Sequence, residues 1–303
     1  MKDFIVGVGR INIDLMYSGL ERLPNLGEEL YAKDFGVYFG GGIPGEAIIL
    51  SRLGLPSRAV TWIGKGHFAD IARSELENSG AEIIDLYKGE GSGVVLSTAM
   101  ICGSERTFCS YCEDISIGSD DLQSIYRAHE DAGIILMDVR YANIYRNLAS
   151  HGAIRIFDTG WGDDLSLDNR KYREMIELAD FYLPNRKEAL KITGADSVEN
   201  AAEILSSFFR HTVIKLDHEG CLIKDAEGTR IIPSIPGIIP VDSTGAGDAF
   251  LCGFTYGLYH HYSIDDCIRF GNITGGTCVQ ARGCLTRTLT ENELLEAHRR
   301  FYS

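Results

Sequence analysis

Strand-like apolar runs alternate with helix-like segments through most of this 303-residue chain. The runs cover residues 4–9, 57–63, 133–139, 153–158, 180–183 and 212–216. Between them apolar residues recur at helical spacing, over 45–53, 68–79, 169–179 and 197–209. A strand that returns parallel to its neighbour needs a long crossover, usually a helix. The alternation therefore predicts an α/β fold, with a mostly parallel sheet covered by helices on both faces. Such folds bind ligands beyond the carboxyl ends of their strands. Ser263 with Asp265 and Asp266 opens a penultimate helix over 264–280, and Thr290 with Glu293 makes a capping box for a last one over 294–301.

Two regions break the alternation. Residues 14–38 and 92–111 read as short strands with turns and no crossover helix, and residues 94–101 show period two. They predict a small separate sheet. No repeat, low-complexity tract or linker divides the chain, so one domain over 1–303 is expected.

Composition removes some partners. With 29 Lys and Arg against 43 Asp and Glu, the net charge of −14 opposes electrostatic binding to nucleic acid or an anionic membrane. Met1-Lys2-Asp3 leads straight into the first apolar run, and no run is long enough to span a bilayer, so a cytoplasmic address is expected. Of eight cysteines, Cys221, Cys252, Cys267 and Cys278 lie in apolar segments and read as buried thiols. Cys109 and Cys112 form a Cys-x-x-Cys, either a redox pair, half a zinc site or two ordinary thiols. Without a second pair at ligand spacing, no metal is expected there.

The chemistry concentrates in Val241-Asp242-Ser243-Thr244-Gly245-Ala246-Gly247-Asp248-Ala249-Phe250. A Gly-Ala-Gly turn meets the start of an apolar helix. Glycines let backbone N–H groups come close to a ligand, and a helix start adds unsatisfied N–H groups and a positive dipole end. The turn is an anion site with a carboxylate, Asp248, at its edge. Such a carboxylate is suited to take a proton from an attacking hydroxyl. The alternative is a capping turn in which Asp248 serves only the dipole.

This string resembles the signature of the PfkB (ribokinase-like) carbohydrate kinases: both Asp, the Thr, both Gly and the following Ala-Phe stand at that family's spacing. The resemblance covers nearly the whole chain. It implies a three-layer α/β sandwich with a discontinuous β-sheet lid, here residues 11–38 and 91–114, through which some members dimerise. It implies ATP and Mg²⁺, with Asp248 as base and the N–H groups of Gly245, Ala246 and Gly247 as an anion hole.

The resemblance also carries the remaining site residues. Asn12 and Asp14 follow the first strand, where the family contacts the sugar. Gly40-Gly41-Gly42-Ile43-Pro44-Gly45 resembles its N-terminal signature, with Gly41 and Gly42 against substrate and Gly45 standing where Asn is usual. Arg106 belongs to a Gly-Ser-Glu-Arg-Thr like that of the lid. Arg140 ends a strand where ribokinases carry a Glu, a change that would suit an acidic or phosphorylated substrate. Only Asp158 remains of an Asp-Pro-Asn-x-Arg motif. Asn185 and Glu188 match an Asn-x-x-Glu that organises Mg²⁺ through water, and equally suit a helix start. Lys215 begins a turn beside the nucleotide, in which Asp217 replaces a Gly and an altered turn is expected. Thr244 and Asn272 complete the nucleotide side. Asp242, with carbonyls of Cys278, Ala281 and Gly283, resembles a K⁺ site in which Arg287 replaces a usual ligand.

The expected function is transfer of the ATP γ-phosphoryl group to a hydroxymethyl group of a small sugar-like substrate. The alternatives are a nucleoside kinase stacking its base on Tyr17, Tyr31, Phe35, Tyr38 or Phe108, a kinase of sugar acids or sugar phosphates, and a sugar-binding regulator without turnover.

Overall fold

The computed structural model describes residues 4–103, 105–148 and 152–302, so Met1-Lys2-Asp3 and Ser104 of the Arg106 motif lie outside the described residues. Strand β1 (Phe4–Val8) lies between β4 (Ser57–Thr61) and β8 (Ala132–Met137), parallel to both. Beyond β4 comes β5 (Glu82–Asp85). Beyond β8 come β9 (Ile154–Phe157) and β10 (Phe181–Tyr182), so the order is β10-β9-β8-β1-β4-β5, parallel throughout.

Successive strand residues point to opposite faces, and the two faces build two cores. Ile5, Ile134 and Ile156 pack with α1 (Ile43–Arg52), α8 (Ala246–Tyr259), α9 (Ile264–Cys278) and α10 (Glu291–Tyr302). Val6, Ile135 and Phe157 pack with α3 (Ser119–Ala128), α4 (Ala142–Asn147), α5 (Arg170–Leu178), α6 (Arg186–Thr193) and α7 (Val198–Leu205). Helix α2 (His67–Glu77) closes a third cluster with Ile13 and Ile48. The result is the three-layer sandwich expected. Ser263 and Thr290 cap α9 and α10 through Asp266 N–H and Glu293 N–H.

Residues 212–216 depart from the parallel reading. β11 (Thr212–Lys215) pairs antiparallel with β12 (Cys221–Asp225), and β12 with β13 (Gly228–Ile232). The link from β11 to β12 is too short for a crossover, and Leu216 N–H donates to Gly220 O at 2.7 Å to close a hairpin. One parallel bridge, Asn185 to Lys215, joins this sheet to the edge of the central one.

A third sheet stands apart. It has the order β3-β2-β6-β7, from β2 (Asn12–Leu20), β3 (Asp34–Phe39), β6 (Val95–Cys102) and β7 (Glu105–Tyr111). The β2–β6 pair is parallel and the outer pairs antiparallel. Asp14 lies opposite Ser97, and Ser97 opposite Ser110, so one face is polar. Tyr17, Phe35 and Val37 share the other face and are exposed. Among the described residues no helix is long and apolar enough to cross a membrane, and no metal-ligating cluster forms around the exposed thiols of Cys109 and Cys112.

Candidate active site

The carboxyl ends of β1, β8, β9 and β10 open on one side of the central sheet, and a cavity of about 1250 Å³ lies there. A smaller compartment of about 310 Å³ adjoins it, lined by Arg10, Asn12, Val95 and Ser97. Gly42, Arg140 and Asp248 line both. Asp248 thus stands where the two spaces meet.

Local backbone geometry places it there. Gly245 caps α8 with φ +76°, and a Cβ on it would lie 2.1 Å from Cys284 Cβ, so both conformation and space require glycine. Asp248 falls in the first helical turn. A Cβ on Gly41 would lie 1.9 Å from Asp248 Oδ2, so the loop before α1 has no side chain where the carboxylate docks. Gly42 and Glu46, before and within α1, line the same cavity as Asp248. Burial pushes Asp248 up to about 6 and the Asp158 charge adds to this, while the Gly42 N–H, Lys215 and Glu46 pull it back.

The polar face of the small sheet forms a network. Asn12 Nδ2 donates to Asp14 Oδ1 at 2.6 Å, Ser97 Oγ donates to Asn12 Oδ1 at 3.0 Å, and the Ser97 and Ser110 hydroxyls lie 2.8 Å apart. Burial raises Asp14 to about 6 against the Asn12 hydrogen bond. Arg140 Nε is chelated by the Asp138 carboxylate at 3.1 and 2.9 Å. Gly45 lines neither cavity: it lies within α1, where a Cβ would face Gly40 O at 2.9 Å.

On the other side, Lys215 Nζ donates to Asp158 Oδ2 at 2.6 Å, and a Cβ on Gly247 would lie 3.4 Å from that ammonium. A fixed cation therefore stands beside the glycine turn. Asp158 Oδ1 is buried and has no hydrogen-bond partner among the described residues. Asn185 and Glu188 form the capping box of α6, Asn185 Oδ1 accepting from Glu188 N–H at 3.0 Å and Glu188 Oε2 from Asn185 N–H at 2.8 Å. Glu188 still lines the large cavity, where burial and the Asp158 charge raise it to about 7. Asn272 lines it too, with its amide donating to Pro233 O at 3.1 Å. Asp217 takes φ +54°, so the left-handed turn persists without glycine.

Asp242 is already surrounded by donors. Its Oδ1 accepts from Thr244 N–H at 3.0 Å, Thr244 Oγ1 at 2.7 Å and Arg106 Nη1 at 3.2 Å, and its Oδ2 accepts from Gly283 N–H at 3.0 Å. Gly283 gives its N–H to Asp242, and the Cys278 carbonyl accepts from Ala281 N–H at 3.3 Å. This set does not fit K⁺ while the guanidinium is present.

Arg10, Glu46 and Asp138 are site residues that sequence reasoning missed. Arg10 is buried and donates to Gly93 O and Glu113 O, both at 3.0 Å. The available signal for Glu46 was a lone charge inside the apolar run 43–50.

The family model described as pfkB family carbohydrate kinase matches residues 2–291. The chain belongs to that family. This kinase is 25% identical over 295 residues to the ribokinase of Lactococcus lactis, covering 91% of this chain and 90% of that one. The structure of Arabidopsis thaliana ribokinase complexed with ribose and ATP is similar at TM-score 0.78 and 23% identity, covering 98% of both chains. The nucleoside kinase of Methanocaldococcus jannaschii is similar at TM-score 0.79 and 20% identity, again covering 98% of each. At these identities the structures show the shared fold alone. The family makes this kinase a phosphotransferase acting on a sugar hydroxyl.

Proposed function

We propose that this kinase transfers the γ-phosphoryl group of ATP to a hydroxymethyl group of a monosaccharide or a closely related small substrate. The observation that carries the reading is the place of Asp248, at the head of α8 and at the junction of both compartments. The acceptor occupies the smaller compartment and the triphosphate the larger. Asp248 takes the hydroxyl proton as the oxygen's electron pair forms the new O–P bond and the bond from the γ-phosphorus to the ADP oxygen breaks. The N–H groups of Gly245, Ala246 and Gly247, with the Lys215 ammonium, meet the charge that develops. Asn12 and Asp14 offer hydrogen bonds to sugar hydroxyls, and Gly41 and Gly42 keep the backbone close to them.

Mg²⁺ fits the phosphate end. The unpartnered Asp158 Oδ1 and the Glu188 carboxyl are hard oxygen donors, suited to hold it through water. When bound, it neutralises phosphate charge. Asn185 and Asn272 act indirectly, one by placing Glu188 and the other by holding the cavity rim. Thr244 and Arg106 close the loop before α8 against the small sheet, which serves as the lid over 11–38 and 91–114. No step is assigned to K⁺.

The exposed outer face of the lid, with Phe35 52% and Tyr111 62% exposed, supports a homodimer formed through it. Five buried thiols, Cys221, Cys252, Cys267, Cys278 and Cys284, suit a reducing cytoplasm. Tyr17 and Phe35 lie tilted against each other, with ring centroids 4.9 Å apart, on the outer face away from the acceptor compartment, so these two do not support base stacking by a nucleoside. A second reading has its own support: Arg10 and Arg140 both line the acceptor compartment, which favours a substrate carrying a carboxylate or phosphate.

The test is coupled ADP release with Mg-ATP against neutral sugars, sugar acids, sugar phosphates and nucleosides, with Asp248→Asn as the blank. Turnover that depends on Asp248 is expected with at least one sugar-like acceptor. Turnover with nucleosides alone, or none that depends on Asp248, overturns the reading.

A further inference from the structure

Glu46 is a buried carboxyl that the reaction described above leaves without a task. It lies on α1 at 5% exposure, with buried residues on either side, and its Oε2 has no hydrogen-bond partner among the described residues. It lines the large cavity, and its backbone carbonyl accepts from Cys252 Sγ at 3.5 Å, one helical turn along α8 from Asp248. The titratable groups facing it are Asp248 and Cys252 from α8, Asp158 after β9 and Asp138 after β8. The nearby ammonium, Lys215, is already paired with Asp158 at 2.6 Å. An ionised Glu46 would therefore be a buried charge among like charges, without a counter-ion of its own.

Two carboxyls can share a hydrogen bond only when one of them carries a proton. Burial drives Glu46 well above the usual carboxylate range, and Asp248, Asp158 and Asp138 push it further, so its neutral, protonated form is the favoured one. We propose that Glu46 is a protonated positioning residue, which donates to Asp248 and holds the base ionised and aimed at the acceptor hydroxyl. The proposal rests on Asp248 being the base. A donor on a carboxylate favours its charged form, so Glu46 offsets part of what burial does to Asp248.

The test compares kcat against pH for the full chain and for Glu46→Leu and Glu46→Gln, with saturating ATP and acceptor. Glu46→Leu removes the donor, so the acid limb moves up by about one pH unit, and kcat falls about twofold at pH 7 and roughly tenfold at pH 5. Glu46→Gln keeps a donor, recovers most of that turnover and leaves the limb in place. An unmoved limb in Glu46→Leu overturns the proposal. So does a limb that moves down in Glu46→Gln, because that change would have removed a negative charge. If Glu46→Leu does not fold, the direction in Glu46→Gln decides. If the parent chain turns over no acceptor, the base reading fails instead. Carboxyl carbon NMR titration of the ligand-free protein then reads the pair directly, and an ionised Glu46 at neutral pH overturns the inference.

Discussion

Arg106 reaches from the small sheet to Asp242 in the loop before α8, with Nη1 3.2 Å from Oδ1, and the same nitrogen donates to Thr244 Oγ1 at 2.9 Å. One guanidinium thereby connects the strand pair over the acceptor compartment to the turn that forms the anion hole. Asp242 is almost fully buried while Arg106 remains about one-third exposed, so the contact can open without unfolding either element.

Arg106→Ala is expected to lower kcat/KM by about tenfold to a hundredfold, the scale of losing a hydrogen bond to a charged group. The loss falls mainly on acceptor KM, read by steady-state ADP release. An unchanged KM would show that the sheet closes without this contact.

The same contact bears on monovalent cations. Because Asp242 is engaged by Arg106, Thr244 and Gly283, turnover is expected to be equal in K⁺ and in tetramethylammonium at one ionic strength. Activation by K⁺ would place the cation on Asp242 in the substrate-bound state.

Gly41→Ala directs a Cβ to 1.9 Å from Asp248 Oδ2. The protein is expected to fold, since Gly41 does not adopt a positive φ, but the base is displaced. A loss of about 10²-fold or more in kcat is expected, within the usual worth of general base catalysis. Circular dichroism and ADP release separate folding from chemistry.

Buried carboxylates give a pH signature. Asp14 rises from 3.8 to about 6 on folding, so the folded state binds more protons than the unfolded chain between those values, and stability falls as pH rises through them. Asp14→Asn removes that loss. Its stability relative to the parent, read from the melting temperature, is expected to increase from about pH 4 to about pH 6 and then level off, by roughly 3 kcal/mol at most. Asp248, raised to about 6, makes kcat fall about tenfold per unit below that pH.

The outer face of the small sheet predicts association. Light scattering is expected to give twice the 33.4-kDa chain mass, and Phe35→Glu to give the single mass with the melting temperature little changed. A monomeric parent would remove the dimer from the reading.

Local patterns carried much of this protein. The glycine turn and Asp248 are contiguous, and a strand–turn–helix needs only neighbouring residues to form, so both appeared in the sequence as a motif. The parallel sheet was legible because each crossover helix has its own period. The antiparallel hairpin of β11 and β12 was not, because a strand's own apolar pattern does not say which neighbour it pairs with or in which direction, and that is fixed only where Leu216 N–H meets Gly220 O.

What the tertiary structure alone decided is which distant groups meet. Glu46 and Asp248 lie 202 positions apart, and only Asp248 stands in a motif. Arg106 and Asp242 read as a turn residue and a cation ligand. The glycines at 41 and 42 could be assigned to substrate, but the close approach of Gly41 to Asp248 required α1 and α8 to pack side by side. The sequence by itself determined the elements and the reactive turn, since these depend on local backbone geometry and periodicity. The protonation of the site was decided by burial and by charges brought together from separate strands and helices, which no local pattern encodes.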